Sequence, residues 1–339
     1  MSNLNDRIRQ LIASACEHMP LEQVPQDASL DDMPEWDSLA HIALIELIER
    51  EYGRTIPPDR VAELRSVETI AKWLSEDAAE ESANEPAAAD ADLAGALREA
   101  GLTAGDMVMV HSFTAALRGV ERPDRALIDA LLGVLGPEGT LVLPAFTYSF
   151  CRTRLYRPDE DRSEVGVAAD TLRLEYQGRR TLAPIFSVVA KGARAEEIAA
   201  LSSPTTFGPG SIFDYLLQSR GKLCGVGVGF EKITFNHYPE EELQVPYRYW
   251  KQFDGEMERR GDREAVSVRY FVRSLEPEAV RDQSKIAALM EKAPFARSAA
   301  VAGAEVVCAP VQQYYRRLRD AMIADPLFQL SDASRGHWH

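Results

Sequence analysis

The sequence predicts two domains of different class: a small all-α domain of four helical segments, then a larger α/β domain with a helical C-terminal segment. Three observations carry this. Four helical segments crowd into the first 78 residues, a run of Ala, Glu and Asp with one proline (Pro86) occupies 77–92, and from residue 93 short apolar runs alternate with segments of helical period. The 339 residues suffice for two domains, and an apolar content of 45% can fill a large core in the second. The predicted boundaries are 1–78, a linker at 79–92, and 93–330.

In the leading domain, residues 4–18 read as a first amphipathic helix. After Ser38 the apolar residues Leu39, Ile42, Ala43, Ile45, Leu47 and Ile48 recur at helical spacing, with Glu46, Glu49, Arg50 and Glu51 opposite them and Gly53 ending the run. Ile56-Pro57-Pro58 opens a short segment through Leu64, and Ser66 caps a last helix through Leu74. Residues 1–80 hold 17 Asp+Glu against 7 Lys+Arg, a net of −10, which leaves −5 of the chain's −15 for the rest. The run at 77–92 has too little apolar bulk to pack and reads as a tether, with an end-to-end distance of about 20–24 Å if flexible.

The larger domain starts with a helix at 93–100 and a turn from Gly101 to Gly105. Met107-Val108-Met109-Val110 is a buried-strand pattern that delivers His111 and Ser112 to its C-terminal end. A helix at 124–135, the turn Gly136-Pro137-Glu138-Gly139 and a strand at 140–144 continue the alternation, which places chemistry at strand ends. Beyond Pro277 the chain reads as largely helical through Met322, with Tyr314-Tyr315-Arg316-Arg317 as a docking surface for an acidic partner domain. His337-Trp338-His339 reads as a disordered tail.

Several function classes are disfavoured. Cys16, Cys151, Cys224 and Cys308 have no paired or metal-like spacing and the six histidines form no cluster with them, so no metal is expected and the thiols read as reduced. No run reaches membrane-spanning length and no signal peptide stands out, so a cytoplasmic protein without a membrane partner is expected. An acidic chain without a basic stripe is a poor ligand for nucleic acid.

Glu35-Trp36-Asp37-Ser38-Leu39, opening a helix in an acidic four-helix domain, resembles the site where acyl carrier proteins receive 4'-phosphopantetheine, with Trp36 in place of the usual glycine. A phosphodiester at such a helix start meets unpaired N–H groups and the positive end of the helix dipole. The plainer alternative is that Asp37 or Ser38 is only a helix cap. The resemblance covers residues 3–78 and implies a phosphopantetheinyl transferase and an acyl-loading enzyme as partners.

The segments Val110-His111-Ser112, Leu135-Gly136-Pro137-Glu138-Gly139-Thr140-Leu141, Pro144-Ala145-Phe146-Thr147-Tyr148, Phe207-Gly208-Pro209-Gly210-Ser211, Gly225-Val226-Gly227 and Thr234-Phe235-Asn236-His237-Tyr238-Pro239-Glu240 occur in an order that resembles the aminoglycoside 3-N-acetyltransferase family, over 93–275. The resemblance implies acetyl transfer from coenzyme A to an amine of an amino sugar, with the histidine and acidic residue of the last segment catalytic. The family's histidine before Pro184 is Ala183 here, which fits a biosynthetic enzyme better than a resistance enzyme.

Chemistry leads independently to the same segment. A spacing of three sets Thr234, His237 and Glu240 on one helical face, where a carboxylate orients an imidazole. Pro239 requires the first turn of a helix, whose dipole favours a neutral imidazole, the form a general base needs. Glu241 and Glu242 are alternative acidic partners. The expected reaction is direct transfer of an acyl group from the Ser38 arm to the amine of a small-molecule acceptor. Thr234, Ser112 or N–H groups near His111 are the expected donors to the carbonyl oxygen. Gly208, Gly210 and Ser211 are expected to approach the donor, although such turns are often only turns. Tyr247-Arg248-Tyr249-Trp250-Lys251 reads as a wall of the acceptor or acyl pocket, or as packing. A non-catalytic acyl-delivery module and a thioesterase with water as acceptor are the alternatives. The oligomeric state stays open, including whether a donor comes from the same chain or from its neighbour in a homodimer.

Overall fold

A computed structural model describes residues 92–338 without a break and, before them, residues 2–16, 19–30, 32, 33, 36, 40, 41, 44, 45, 47, 48, 56, 58–61 and 63–76. The chain divides into two units, Met1–Ala87 and Ala88–His339.

The leading unit contains α1 (Ser2–Ala15), α2 (Pro58–Val61) and α3 (Val67–Glu76), and residues 40, 41, 44, 45, 47 and 48 are also helical. Ile8, Leu11 and Ile12 of α1 meet Leu44, Ile48, Val67, Ile70 and Trp73 in one core, the stripe that helical spacing prescribes. Ser66 caps α3 reciprocally with Thr69: the Ser66 Oγ accepts the Thr69 N–H at 3.1 Å, and the Thr69 Oγ1 accepts the Ser66 N–H at 3.0 Å. Trp36 is buried in this core, 6.0 Å from the His41 ring. Ser38 and the run 77–91 lie outside the described residues.

The larger unit opens with α4 (Leu93–Glu99), whose first turn is held by Asp92 accepting the Gly95 N–H at 2.6 Å. There follow β1 (Met107–Ser112), α5 (Pro123–Leu135), β2 (Thr140–Pro144), α6 (Phe150–Thr153), β3 (Leu155–Tyr156), α7 (Ala168–Leu174), β4 (Arg179–Arg180), β5 (Val188–Gly192), α8 (Ala195–Ala199), α9 (Ile212–Gln218) and β6 (Lys222–Val226). After these come α10 (His237–Leu243), β7 (Arg248–Arg259), β8 (Asp262–Arg273), α11 (Gln283–Glu291), β9 (Arg297–Val301), β10 (Ala304–Pro310), α12 (Val311–Ala324) and α13 (Asp332–Arg335). One sheet has the order β4-β5-β2-β1-β6-β10-β9, and a second, β3-β7-β8, is built on a long hairpin. The centre, β2-β1-β6, is parallel, and β5 and β10 flank it antiparallel. The domain is therefore mixed α/β.

Strand alternation sorts the core into two layers. Met107, Met109, Val142, Val188, Ala190, Leu223 and Val307 enter one cluster, and their neighbours Val108, Val110, Leu141, Val189, Cys224 and Val306 enter the other. The second layer is covered by α5 through Leu127, Ile128, Leu131, Val134 and Leu135. The first layer includes Phe213 and Leu216 of α9 and Tyr314 and Leu318 of α12.

Two expectations for the C-terminal part are corrected. It is less helical than expected: β9 and β10 form a hairpin between α11 and α12, turning at Ala302 and Gly303, both at positive φ. The apolar run through Val306-Val307-Cys308 is a strand buried between neighbours, which helical periodicity alone does not separate from a helix. The terminus is ordered through Trp338, whose ring packs 6.5 Å from that of Tyr247, while His339 lies outside the described residues.

Leu131 is fully buried under the sheet. Leu131→Ala is expected to lower unfolding free energy by about 2–5 kcal/mol, measured from urea transitions of the larger unit's signal. A loss below about 1 kcal/mol would contradict this packing.

Candidate active site

β1 ends at His111 and Ser112 in the middle of the parallel strands, and two 3-10 turns, Phe230–Lys232 and Thr234–Asn236, lead from β6 into α10. Thr234 anchors the second of these turns to β1. Its N–H donates to His111 Nε2 at 3.1 Å and its Oγ1 lies 3.0 Å from the same nitrogen. His111 Nε2 is therefore an acceptor, and the ring's proton sits on Nδ1, which is buried without a partner in the structure. Burial pushes the His111 pKa down to about 3, so the ring is neutral at pH 7.

His237 begins α10 and Glu240 follows one turn later. His237 Nδ1 and Glu240 Oε2 are 2.5 Å apart. Arg248, from the start of β7, reaches the same oxygen at 2.8 Å, and the Tyr247 hydroxyl donates to Oε1 at 2.8 Å. Arg248 Nη2 is also 2.9 Å from His237 Nδ1. Both nitrogens converge as donors on one carboxylate oxygen, since a lone pair on Nδ1 would face Oε2 repulsively. The imidazole proton thus lies on Nδ1, and Nε2 carries the free lone pair.

Electrostatics hold this arrangement in one protonation state. Burial alone would raise the Glu240 pKa, but the Arg248 guanidinium, followed by His237, holds it well below the ordinary carboxylate range. For His237, burial first and the Arg248 charge second push the pKa down to about 4, against the pull of Glu240. The sequence-based expectation of a neutral imidazole agrees with this, and burial followed by the Arg248 charge is the main cause.

Three consecutive glutamates take three different partners. Glu240 holds His237. Glu241 accepts from Thr205 Oγ1 at 2.6 Å and from the Phe207 N–H at 3.2 Å, fixing the 205–208 loop against α10. Glu242 accepts from the Tyr315 hydroxyl at 2.6 Å and from Arg319 at 3.1 Å. The ambiguity among the acidic neighbours of His237 is thereby resolved geometrically.

Thr234 turns to His111, one 3-10 turn ahead of the pair His237 and Glu240, so these three residues do not share a single helical face. Ser112 ends β1 opposite Val226. The Gly208 N–H donates to Thr205 Oγ1, the Gly210 N–H to Asp214 Oδ2 and the Ser211 N–H to the Gly208 carbonyl, while Ser211 Oγ caps α9. A Cβ at Gly208 would strike Thr205 Oγ1 and Glu241 Oε1, so glycine there permits the loop's close approach to α10. These N–H groups are engaged internally, and the loop meets the site through the Phe207 ring, 5.5 Å from that of His237. Ser38 lies outside the described residues. The expected docking surface is corrected too: Tyr314 is fully buried, and Arg317 donates to the Leu289 carbonyl.

Sequence reasoning passed over Tyr247 and Arg248 as partners of Glu240. The available signal was an arginine between two aromatics at the start of a strand, soon after three glutamates that required cations. Among the described residues no group of three His, Cys, Asp or Glu could hold a metal ion, and no helix is long and apolar enough to cross a membrane.

Fold and site together define a protein that joins a small helical domain to a mixed α/β domain with a buried His–Glu–Arg site near the strand ends. A family model described as aminoglycoside 3-N-acetyltransferase matches residues 109–323, and one described as phosphopantetheine attachment site matches residues 6–74. The chain belongs to the aminoglycoside 3-N-acetyltransferase family and carries an N-terminal acyl carrier protein-like domain. It is 32% identical over 160 residues to aminoglycoside N(3)-acetyltransferase IV of Salmonella sp, covering 46% of this chain and 60% of that protein. The chain thus spans three fifths of that relative's length. Its first part is 34% identical over 73 residues to an acyl carrier protein of Streptomyces coelicolor, covering 22% of this chain and 79% of that protein. The solved structure of AAC-IIIb in binary complex with CoASH has the same fold, with a TM-score of 0.60 at 21% identity over 67% of this chain and 93% of that one.

Arg248 is the buried counter-charge of Glu240, so Arg248→Met should lower stability by about 3–5 kcal/mol in denaturant titrations. Adding Glu240→Gln to that variant should restore part of the loss. Additive losses would show that the two charges do not compensate each other.

Proposed function

We propose that the protein is an N-acyltransferase that moves an acyl group from a phosphopantetheine thioester on its own carrier domain to the amine of a small metabolite. The observation that carries this reading is the free Nε2 of a neutral His237 whose Nδ1–H is held by a fully buried carboxylate. In this reading the leading domain, 1–78, is a four-helix carrier whose second helix opens at Ser38, and 79–92 is the tether to the transferase domain, 93–330.

The arm, when attached, supplies a thioester, an acyl carbon activated toward nucleophiles. The orphaned His111 Nδ1–H beside Thr234 suits a carbonyl acceptor, which supports a place for the donor at the end of β1. His237 Nε2 takes the proton of the attacking amine as the C–N bond forms and the C–S bond breaks, and returns it to the departing sulfur. Glu240 and Arg248 hold the ring in the tautomer that leaves Nε2 bare. Thr234, three residues before the base and held to His111, is proposed to face the carbonyl oxygen with Ser112. A phosphopantetheinyl transferase and an acyl-loading enzyme are the partners this requires, and free coenzyme A is the alternative carrier of the acyl group.

Mass analysis tests the route. Incubation with a phosphopantetheinyl transferase and an acyl-coenzyme A should label the Ser38 peptide, and an amine acceptor should discharge it with formation of the amide. His237→Ala should slow discharge by about 10²–10⁴-fold with the label intact, and Ser38→Ala should abolish labelling. Equal discharge by the His237 variant would remove the base from the mechanism.

The pH dependence of the discharge step has a definite sign. Protonation silences the base, so at saturating acceptor kcat should fall as pH drops through about 4, well below the ordinary histidine value of 6.5. An acid limb near 6.5 would mean that His237 is solvated during turnover.

A further inference from the structure

The turn that delivers His237 is held by side chains from distant parts of the sequence. Asn236, the residue before His237, is buried, and its polar groups are all engaged. Its N–H donates to the Ile233 carbonyl at 3.1 Å, and its Nδ2 donates to the Phe230 carbonyl at 2.9 Å. Its Oδ1 accepts the Tyr314 hydroxyl at 2.6 Å, and its backbone carbonyl accepts from Gln329 Nε2 at 3.1 Å. Gln329 has no exposure to water and lies between α12 and α13. Its Oε1 accepts from Arg281 Nη2 at 2.6 Å, and its Nε2 also lies 3.4 Å from Met322 Sδ. The contacts fix the orientation of this amide: turned over, it would set oxygen against the Asn236 carbonyl and its NH2 group against the guanidinium.

Backbone pairing places the glutamine. The Asp282 N–H donates to the Gln329 carbonyl and the Ser331 N–H to the Val280 carbonyl, each at 2.9 Å, around a bridge between Arg281 and Leu330. The same C-terminal segment reaches the other half of the site, where Trp338 packs on Tyr247 and the Tyr247 hydroxyl is bonded to Glu240. Residues 325–338 therefore grip both members of the His237 and Glu240 pair, one through a backbone carbonyl and one through a tyrosine.

Filling space does not account for a glutamine here. A leucine of similar size would pack without the cost of removing an amide from water, whereas a fully satisfied amide specifies one geometry. The element it holds has little hydrogen-bond ladder of its own, since α10 runs for 7 residues and starts from a 3-10 turn.

We propose that Gln329 is a positioning residue of the site: by holding the Asn236 carbonyl it fixes the first turn of α10, so that the bare Nε2 of His237 stands where the proton of the amine is taken. The catalytic consequence rests on the acyl-transfer reading above, and the geometric claim stands apart from it. Gln329 acts through Asn236, so its loss lowers the rate of the chemical step and leaves acceptor binding intact.

The test uses the full chain, phosphopantetheinylated and acetylated at Ser38, with gentamicin and ethanolamine as probe acceptors and the amide measured by mass. Gln329→Leu removes both bonds of the amide, and Gln329→Glu keeps a partner for Arg281 while losing the donor to Asn236. In whichever variant keeps a cooperative urea transition, kcat should fall roughly 10- to 100-fold with the acceptor KM within about two-fold of the parent value. Nitrogen NMR of isotope-labelled histidine, with His237→Ala supplying the assignment, should show the His237 ring signals shifted or broadened in that variant. An unchanged kcat, or a raised KM at constant kcat, overturns the proposal, as do His237 signals identical to those of the parent. Unfolding of both variants also overturns it, since the residue would then serve stability. If the parent acylates neither amine, the acyl-transfer reading fails and the ring signals alone decide: a change in the folded variant supports the positioning role, and none overturns it.

Discussion

A carboxylate with no exposure to water governs the larger domain's site. Glu240 has its charge compensated by Arg248 and its oxygens bonded by Tyr247, Arg248 and His237, and the Tyr247 and Arg248 contacts tie α10 to the start of the long hairpin. An isolated buried carboxylate would either take up a proton or unfold the region, so the group persists ionised only with its partners in place. The constraint is mutual. Arg248, itself buried at the start of the long hairpin, is oriented by Glu240 and by the Phe271 carbonyl across the ladder, so the hairpin's base and the first turn of α10 form one unit.

The same constraint explains why the base is weakly basic. Removing His237 from water and setting it beside an arginine lowers its proton affinity more than Glu240 restores it. A base so depressed is fully unprotonated at neutral pH but has a small driving force for taking a proton. Under the acyl-transfer reading it is therefore matched to a proton made acidic by bond formation, on a nitrogen already attacking a carbonyl, rather than to a free ammonium ion.

Much of the framework was legible in the order of residues. Strands β1 and β2 read directly as apolar runs bounded by glycine turns, because a strand buried on both faces needs no alternation to betray it. His237 and Glu240 were legible because a separation of three is a local relation on a helix, fixed before any tertiary contact forms. Arg248 was not, because its role depends on where a hairpin docks, and nothing local distinguishes a buried arginine in a strand from an exposed one. The hairpin β9-β10 escaped for a related reason: Val306-Val307-Cys308 is apolar on both faces since β6 and the two core layers cover it, and such a run carries no period to identify it. At Gly208 and Gly210 composition left a turn and a ligand-approaching loop both open, and the structure shows their N–H groups bonded within the loop and its flanking helix.

The tether read from 77–92 gives the weak base a physical context. Under the acyl-transfer reading, a flexible segment of that length would hold a carrier's acyl group at millimolar effective concentration near the larger domain. Local concentration of this order replaces binding energy that a free donor would have to supply through contacts. That fits a site whose glycine-rich loop has its N–H groups engaged internally, with few left to grip a long cofactor. Selection can then act, in the acyl-transfer reading, on the acceptor side. Under this reading, donor identity is set by what the carrier is loaded with, and the transferase domain has to discriminate only among amines.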